Sequence, residues 1–464
     1  MSDRPARSRP PRRGGRTPLD PARRAAFDVL RAVSERDAYA NLVLPALLAE
    51  RGITGRDAAF ATELAYGACR TRGVLDAVIS AAAGRPVDRI DPVLLDLLRL
   101  GAYQLLRTRV EQHAAVATTV DQAGIEFDTA RAGFVNGVLR SIARRDEQSW
   151  LAELAPPANA DPVGHIAFVH AHPRWIAQAF ADALGADAGE LDAALAADDA
   201  RPDVHLAARP GVLTAEALAA QVDGTVGRYS PYAVYLTGGD PGRLAAIRDG
   251  HALVQDEGSQ LVARALTRAP LVGPDGGRWL DLCAGPGGKT ALLAGIAAGH
   301  GFAVTAVEPA ERRAELVEHN TRGLPVEVLR VDGRESGLPP GGFDRVLVDA
   351  PCTGLGALRR RPEARWRRTP GDVPRLAKLQ RELLAAAIAL TRPGGVVLYA
   401  TCSPHLAETV GVVSDALRRR PVTALDTRPL FSPVEGLGAG PYVQLWPHRH
   451  GTDAMFAAAL QKHD

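Results

Sequence analysis

From about Val254 to the end of the chain, short apolar runs of strand length alternate with stretches of helical periodicity. The strand-like runs are Arg278–Cys283, Ala303–Glu308, Val326–Val331, Phe343–Asp349 and Val396–Thr401. Strands that alternate with helices at this spacing form a mostly parallel sheet with helices on both faces. The sequence therefore predicts a doubly wound, Rossmann-like α/β domain with a ligand crevice at the carboxyl edge of its sheet.

The rest of the 464-residue chain divides by pattern into three further parts. Residues 1–20 are rich in arginine, proline and glycine, which predicts a disordered basic tail; contact with RNA phosphates and a purely solubilising role remain equal alternatives. Residues 21–148 carry apolar side chains at helical spacing and predict an all-α domain of five to seven helices. Residues 149–250 mix helical patterns with strand-like pieces at Val204–Ala208 and Ala233–Leu236, which indicates a small α+β subdomain before the α/β domain of residues 251–464.

The composition excludes several classes of protein. The four cysteines, Cys69, Cys283, Cys352 and Cys402, form no C-x-x-C pair, which argues against a disulfide framework and a Cys-rich zinc site. The formal net charge is only +2, so any nucleic-acid surface must come from clustered basic residues. No run of about 18 apolar residues occurs, and we expect a soluble cytoplasmic monomer that binds neither a membrane nor a metal.

A glycine-rich loop follows the first strand of the α/β domain. Glycines at this position let the backbone approach a ligand closely before the next helix begins. The pattern departs from both G-x-G-x-x-G and the phosphate-binding Walker loop, which disfavours NAD and nucleoside triphosphates. The predicted cofactor-binding loop consists of Cys283, Ala284, Gly285, Pro286, Gly287, Gly288 and Lys289. For Lys289, packing beside the loop and direct cofactor contact are equally good interpretations.

Acidic residues follow the next two strands. Glu308 at the end of the second strand can accept both hydroxyls of a ribose, and Asp332 after the third can contact an adenine edge. Each could instead be only a helix cap. Because several strand ends carry such residues together, we expect a crevice for an adenosine-containing cofactor.

Two cysteines follow the fourth and fifth strands. Asp349-Ala350-Pro351-Cys352 ends one strand, and Thr401-Cys402-Ser403-Pro404 ends the other. These strands are usually neighbours in a doubly wound sheet, so both thiols should face the reactive end of the cofactor. A thiolate that adds to C6 of cytosine turns the ring into an enamine that can be methylated at C5. Cys402 is the predicted nucleophile, Cys352 the base that acts as a thiolate or through water, and Asp349 an acid near N3.

These segments resemble the bacterial 16S rRNA cytosine-5 methyltransferases of the RsmB/Sun type. The resemblance rests on D-A-P-C-T-G-L-G at 349–356, R-R-R-P-E-A-R-W at 359–366, Y-A-T-C-S-P at 399–404 and C-A-G-P-G-G-K at 283–289. Short segments at 63–67, 113–116 and 133–140 resemble a NusB-like RNA-binding domain, and 255–260 and 453–457 also match the methyltransferase family. The resemblance implies that S-adenosylmethionine binds to Cys283–Lys289, Glu308, Asp332 and Asp349, that Cys402 is the nucleophile, and that Cys352 resolves the adduct.

A basic cluster follows the Cys352 segment directly. Arginines around an aromatic residue suit the phosphates and the flipped base of single-stranded RNA, although a solvated charged surface is the plainer alternative. The predicted RNA-binding residues are Arg359, Arg360, Arg361, Arg365 and Trp366.

Two other functions fit parts of the pattern. A methyltransferase for proteins or small molecules would share the fold, but it would have no use for paired thiols. A non-catalytic RNA-binding or antitermination factor would need only the helical domain and neither the cofactor loop nor the thiols. We therefore expect methylation of C5 of a cytosine in RNA, and of 16S rRNA in particular.

Overall fold

The computed structural model describes residues 20–464, which form two compact units that divide after Leu154. The predicted basic tail lies outside the described residues except for Asp20, whose carboxylate accepts a hydrogen bond from the backbone of Arg23 and caps the first helix. The finer boundaries at residues 148 and 250 stay predictions. Across the described part of the chain, no helix combines the length and the apolar character that crossing a bilayer requires.

Eight α-helices make up the part of the first unit that the structure describes. Seven of them lie within residues 21–142, at the upper end of the predicted number. Asp20 and Asp91 cap the first and fifth helices, and a proline follows each cap at the first helical position. The helices are α1 (Pro21–Arg36), α2 (Ala40–Glu50), α3 (Gly55–Arg70), α4 (Arg72–Ala83), α5 (Pro92–Arg107), α6 (Gln112–Glu126), α7 (Thr129–Ile142) and α8 (Glu147–Leu154).

The second unit begins with three helices and a small sheet. The helices are α9 (Pro162–Val169), α10 (Arg174–Leu184) and α11 (Leu191–Asp199). The elements that follow are β1 (Val204–Ala208), α12 (Ala215–Val222), β2 (Gly224–Val226), β3 (Ala233–Leu236), α13 (Ala245–Arg248) and β4 (Ala252–Val254). The strands are antiparallel in the order β2-β3-β1-β4. The predicted strands β1 and β3 are confirmed, whereas β2 and β4, with three residues each, are too short to show a period in the sequence.

The large sheet of the second unit has a parallel centre and antiparallel strands on one side. Its elements are α14 (Glu257–Arg268), β5 (Arg278–Asp281), α15 (Gly288–Ala298), β6 (Ala303–Val307), α16 (Glu311–Asn320), β7 (Val326–Leu329), β8 (Phe343–Asp349), α17 (Asp372–Leu390), β9 (Thr391–Thr401), α18 (Val410–Arg419), β10 (Val422–Ala424), β11 (Val443–Gln444), α19 (Pro447–His450) and β12 (Phe456–Lys462). The strand order is β10-β12-β9-β8-β5-β6-β7, with β11 paired to β12. Strands β5 to β9 pair in parallel, and β12 pairs antiparallel to β9.

Both faces of this sheet are buried, which confirms the doubly wound prediction. Val346 and Val348 of β8 pack into the core on the side of α17 and α18, whereas Leu347 packs into the core on the side of α14 and α15. Successive side chains of a strand point to opposite faces, so a strand with helices on both sides must be apolar throughout. This accounts for the apolar run Val346–Val348 within β8.

Candidate active site

The glycine-rich loop lies between β5 and α15 at the carboxyl edge of the sheet. Gly287 has φ of +106°, and a Cβ atom there would lie 2.9 Å from the Cα atom of Val317. A Cβ atom on Gly285 would lie 2.3 Å from Oε2 of Glu308. Gly287 therefore excludes a side chain, because it has a positive φ and lies against the backbone of α16, while Gly285 packs against the end of the Glu308 side chain.

The two strand-end acids differ in their surroundings. Glu308 is buried, its Oε1 accepts a hydrogen bond of 3.0 Å from the backbone of Ala310, and its Oε2 lies 3.4 Å from the guanidinium of Arg313. Asp332 is more exposed, caps a short helical turn at the backbone of Arg334, and forms an ion pair of 2.7 Å with that arginine. The hydrogen bond from Arg334 lowers the pKa of Asp332. Asp332 thus has the contacts of a cap, while Glu308 lies against the glycine-rich loop.

Lys289 and Asp349 form an ion pair at the end of β8. The Nζ atom of Lys289 lies 2.7 Å from Oδ2 of Asp349, and both side chains are largely buried. Burial disfavours the ammonium ion, but the neighbouring carboxylate outweighs burial and raises the pKa of Lys289. Neither interpretation of Lys289 anticipated this partner. The contact gives Asp349, the predicted acid near N3, a cationic partner.

The two strand-end thiols lie side by side. Strands β8 and β9 pair in parallel with Asp349 opposite Ala400, and this register places the Sγ atoms of Cys352 and Cys402 3.5 Å apart across 50 residues of sequence. The predicted neighbourhood of the fourth and fifth strands is confirmed. Residues that are far apart in the sequence meet here because neighbouring parallel strands end at the same edge of the sheet.

The surroundings distinguish the two thiols. The hydrogen bond from Cys352, together with the positive charges of Lys289 and Arg361, lowers the pKa of Cys402 against the effects of burial and Asp349. The same hydrogen bond, burial and the negative charges of Cys402 and Glu408 raise the pKa of Cys352 well above its ordinary value. The opposite shifts of the two pKa values favour ionisation of Cys402 before Cys352.

Comparisons with known proteins agree with this geometry. The family model described as 16S rRNA methyltransferase RsmB/F matches residues 270–461, and the NusB family model matches residues 20–144. The probable ribosomal RNA small subunit methyltransferase B of Bacillus subtilis is 30% identical over 454 residues, which cover 94% of this chain and 98% of the relative. The chain belongs to the RsmB/F family of 16S rRNA methyltransferases. A putative methyltransferase of Mycobacterium tuberculosis is 79% identical over 457 residues, covering 98% of this chain and 99% of the relative.

Solved structures share the architecture of this RsmB/F-family protein. The crystal structure of PH0851 has a TM-score of 0.79 at 22% identity and covers 96% of this chain and 99% of its own. NSun6 from Pyrococcus horikoshii with SFG has a TM-score of 0.54 at 19% identity, covering 64% of this chain and 100% of its own. At these identities the likeness concerns the fold, an N-terminal NusB-like helical domain and a C-terminal methyltransferase domain in the first case.

The RsmB/F family carries out S-adenosylmethionine-dependent methylation of rRNA, and the crevice suits that cofactor. Gln255 is buried, and within residues 20–464 its Oε1 atom has no hydrogen-bond partner. Its side-chain amide carbon lies 3.5 Å from the position that a Cβ atom of Gly288 would occupy. A buried polar atom without a partner beside the glycine-rich loop fits a polar ligand at that place.

The arginine-rich segment of this RsmB/F-family protein forms ion pairs within the fold. Arg359 is buried and pairs with Asp453 at 2.8 Å and with Asp256 at 3.2 Å. Arg360, which is half-buried, pairs with the same two carboxylates. The guanidinium of Arg359 thus serves ion pairs inside the protein, and RNA binding by Arg359 and Arg360 stays a prediction.

Arg365 also forms ion pairs inside the protein. It is fully buried, with its guanidinium 3.3 Å from Asp198 and 3.1 Å from Asp199. RNA binding by Arg365 likewise stays a prediction. Arg361 is exposed and Trp366 half-buried, and RNA binding by these two stays a prediction. The partners of the buried arginines carry no signal in the sequence, since acids so far along the chain cannot be matched to them by spacing.

Proposed function

We propose that this protein methylates C5 of a cytosine in RNA through a covalent adduct between Cys402 and C6 of the base, with Cys352 as the base that resolves it. The observation that carries the proposal is the pair of thiols 3.5 Å apart, of which Cys402 has the lowered pKa. Two thiols that differ in acidity can divide the roles of nucleophile and base.

The first step uses the thiolate of Cys402. Its sulfur forms a bond to C6 while the electron pair of the C5–C6 double bond moves onto the ring, and C5 becomes nucleophilic. S-adenosylmethionine would supply the methyl group to C5 from its sulfonium and would leave as S-adenosylhomocysteine. In the proposed arrangement the loop from Cys283 to Lys289 and the acids Glu308, Asp332 and Asp349 hold the cofactor. Lys289 keeps Asp349 in place through their ion pair.

The second step removes the C5 proton. Once Cys402 is bound to C6 it carries no negative charge, so two of the effects that raise the pKa of Cys352, the hydrogen bond to Cys402 and the charge of Cys402, disappear. Cys352 can then lose its own proton to water and, as a thiolate or through a water molecule, accept the proton from C5. The C5–C6 double bond forms again, and Cys402 leaves as a thiolate.

We further propose 16S rRNA as the substrate and a cytoplasmic monomer as the active form. The names of the relatives support the substrate, and the NusB-like helical unit offers a second region for RNA binding. The loop, the strand-end acids and both thiols come from a single chain, so the mechanism requires no second copy. Bisulfite sequencing of rRNA from a deletion strain tests the substrate: a cytosine in 16S rRNA should lose its protection, and an unchanged pattern would contradict it.

Two cysteine variants test the mechanism. We expect Cys402→Ala to abolish methylation and leave S-adenosylmethionine binding intact, because the thiol forms the adduct and does not hold the cofactor. We expect Cys352→Ala to accumulate a protein–RNA adduct that resists denaturation, because addition can proceed while release cannot. Methylation and gel shift under denaturing conditions measure these outcomes.

Cys69 provides the matched control. It is buried in the first unit, away from both strand ends in sequence, and Cys69→Ala should methylate RNA at the normal rate and trap no adduct. Full activity of Cys402→Ala would rule out the proposed nucleophile. Rapid turnover without a trapped adduct in Cys352→Ala would rule out Cys352 as the base.

A further inference from the structure

A fully buried carboxylate lies behind the two thiols. Glu408 belongs to the short turn Leu406–Glu408 between β9 and α18, and its side chain has no exposure to solvent. Its Oε1 atom accepts hydrogen bonds from the backbone of Thr353 at 2.8 Å and from Nε2 of Gln380 at 3.1 Å. Its Oε2 atom accepts hydrogen bonds from the hydroxyls of Thr353 and of Ser403, the latter at 2.7 Å.

These contacts join the two segments that carry the thiols. Thr353 immediately follows Cys352, and Ser403 immediately follows Cys402. A single carboxylate therefore binds the residue after each cysteine. Gln380 of α17 also donates a hydrogen bond of 2.8 Å to the carbonyl of Pro351, which holds the segment that carries Cys352.

The backbone of Glu408 is fixed as well. The hydroxyl of Tyr399, a buried residue of β9, donates a hydrogen bond of 2.6 Å to the carbonyl oxygen of Glu408. The turn that carries Glu408 is thus held against β9, the strand that leads to Cys402. Displacement of one thiol segment relative to the other would break hydrogen bonds to this buried carboxylate, which is unfavourable because a buried polar group without a partner is destabilising.

The charges around the thiols are arranged asymmetrically. The four contacts to Glu408 all supply hydrogens, as an ionised carboxylate requires, and within residues 20–464 no cation pairs with it. Its negative charge acts on Cys352, whereas Lys289 and Arg361 act on Cys402. The charged or titratable groups that act on the two thiols are Asp349, Glu408, Lys289 and Arg361, and the phenol of Tyr399 lies close to Cys352.

We propose that Glu408 is the positioning residue of the thiol pair: it holds the two thiols within reach of each other and keeps the shared proton on Cys352, so that Cys402 is the nucleophile. This assignment rests on the proposed function, since it explains how that function divides its roles. The raised pKa of Cys352, to which the charge of Glu408 contributes after the hydrogen bond, burial and Cys402, agrees with it.

The test compares two substitutions of Glu408 in the full chain, without RNA. Glu408→Gln keeps the length of the side chain and removes its charge. We expect the ratio of iodoacetamide alkylation at Cys402 to that at Cys352 at neutral pH to fall by about tenfold, which corresponds to one pKa unit. Mass spectrometry of both peptides between pH 6 and 10 gives the ratio and the two pH profiles.

The second substitution distinguishes the effect of the charge of Glu408 from the effect of its side-chain length. Glu408→Asp keeps the charge but is too short to bind both segments, so it should retain the preference for alkylation at Cys402 and lower kcat, with the KM for S-adenosylmethionine unchanged. Glu318→Gln is the matched control, because it removes a carboxylate that is paired with Arg330 on the surface of the same unit, and both readouts should stay at the level of the unmodified protein.

Each outcome decides the assignment. An alkylation ratio and pH profiles in Glu408→Gln equal to those of the unmodified protein would overturn it, as would a normal kcat in Glu408→Asp. If Glu408→Gln fails to fold, the kcat of Glu408→Asp still decides the positioning role. A failure of the proposed function looks different: Cys402→Ala would then methylate RNA normally, whatever the alkylation of the Glu408 variants shows.

Discussion

Two buried aspartates of the methyltransferase unit lie in opposite electrostatic surroundings, and their pKa values shift in opposite directions. Asp256 lies among the guanidinium groups of Arg359 and Arg360 and the imidazole of His205. Burial alone would raise the pKa of Asp256, but the charge of Arg360 and the hydrogen bond with His205 lead the effects that lower it. Asp281, which ends β5, receives hydrogen bonds from the hydroxyl of Thr290 at 2.7 Å and from a backbone amide.

The pKa of Asp281 moves the other way. Burial and the negative charge of Asp349 raise it to about 6, against the hydrogen bond from Thr290. The comparison teaches that Asp256, surrounded by cations, joins segments of the fold, whereas Asp281, which forms no ion pair within residues 20–464, lies at the edge of the sheet that forms the crevice. The ion pairs around Asp256 join the start of α14, the segment after Cys352 and the residue Asp453 before β12.

The largest effect should follow from removal of the paired aspartate. Asp256→Ala leaves the buried Arg359 and the half-buried Arg360 with Asp453 as their remaining carboxylate, and we expect the free energy of unfolding of the second unit to fall by about 3–5 kcal/mol. Urea denaturation followed by tryptophan fluorescence measures the loss. Asp426→Ala, which breaks an exposed pair with Arg428, is the control and should unfold at nearly the same urea concentration as the unmodified protein. Equal losses in the two variants would show that the buried ion pairs do not join these segments.

A smaller, pH-dependent effect should follow from Asp281. Because its folded-state pKa lies near 6, above the ordinary value, its contribution to stability is complete at acidic pH and is lost as the pH rises through 6. We expect the difference in unfolding free energy between the unmodified protein and Asp281→Asn to change by about 1–2 kcal/mol between pH 5 and 7.5. Urea denaturation at the two pH values measures it. A difference that does not vary with pH would show that the pKa of Asp281 is not raised in the folded protein.

The same comparison explains what the sequence could predict. The strand ends were predictable because apolar runs reveal parallel strands, and parallel strands bring Glu308, Cys352 and Cys402 to one edge whatever their spacing in the chain. The ion pairs could not be predicted, because Arg359 meets Asp453 across 94 residues and Arg365 meets Asp198 across 167. Charged residues follow no period in the sequence that reveals their partners.

Glu408 also escaped prediction. It stands in a short turn and has no apolar period of its own, and only the hydrogen bonds from Thr353 and Ser403 in the folded chain identify it. Its place between the second thiol and the following helix was visible in the sequence, but its partners were not. Residues whose function lies in joining distant segments therefore require the structure.

The smallest expected effect concerns Arg361, the arginine of the cluster whose side chain is exposed. If it binds an RNA phosphate, Arg361→Ala should weaken RNA binding several-fold and make the dependence of log K on log salt shallower by about one unit. Filter binding at several salt concentrations measures the slope. Arg419→Ala is the matched control: Arg419 is equally exposed, but it lies at the end of α18, which runs back from the edge of the sheet that carries the thiols. An unchanged slope for Arg361→Ala would mean that the charges of the arginine-rich segment all stabilise the fold, as those around Asp256 do. RNA phosphates would then have to be bound by other surfaces.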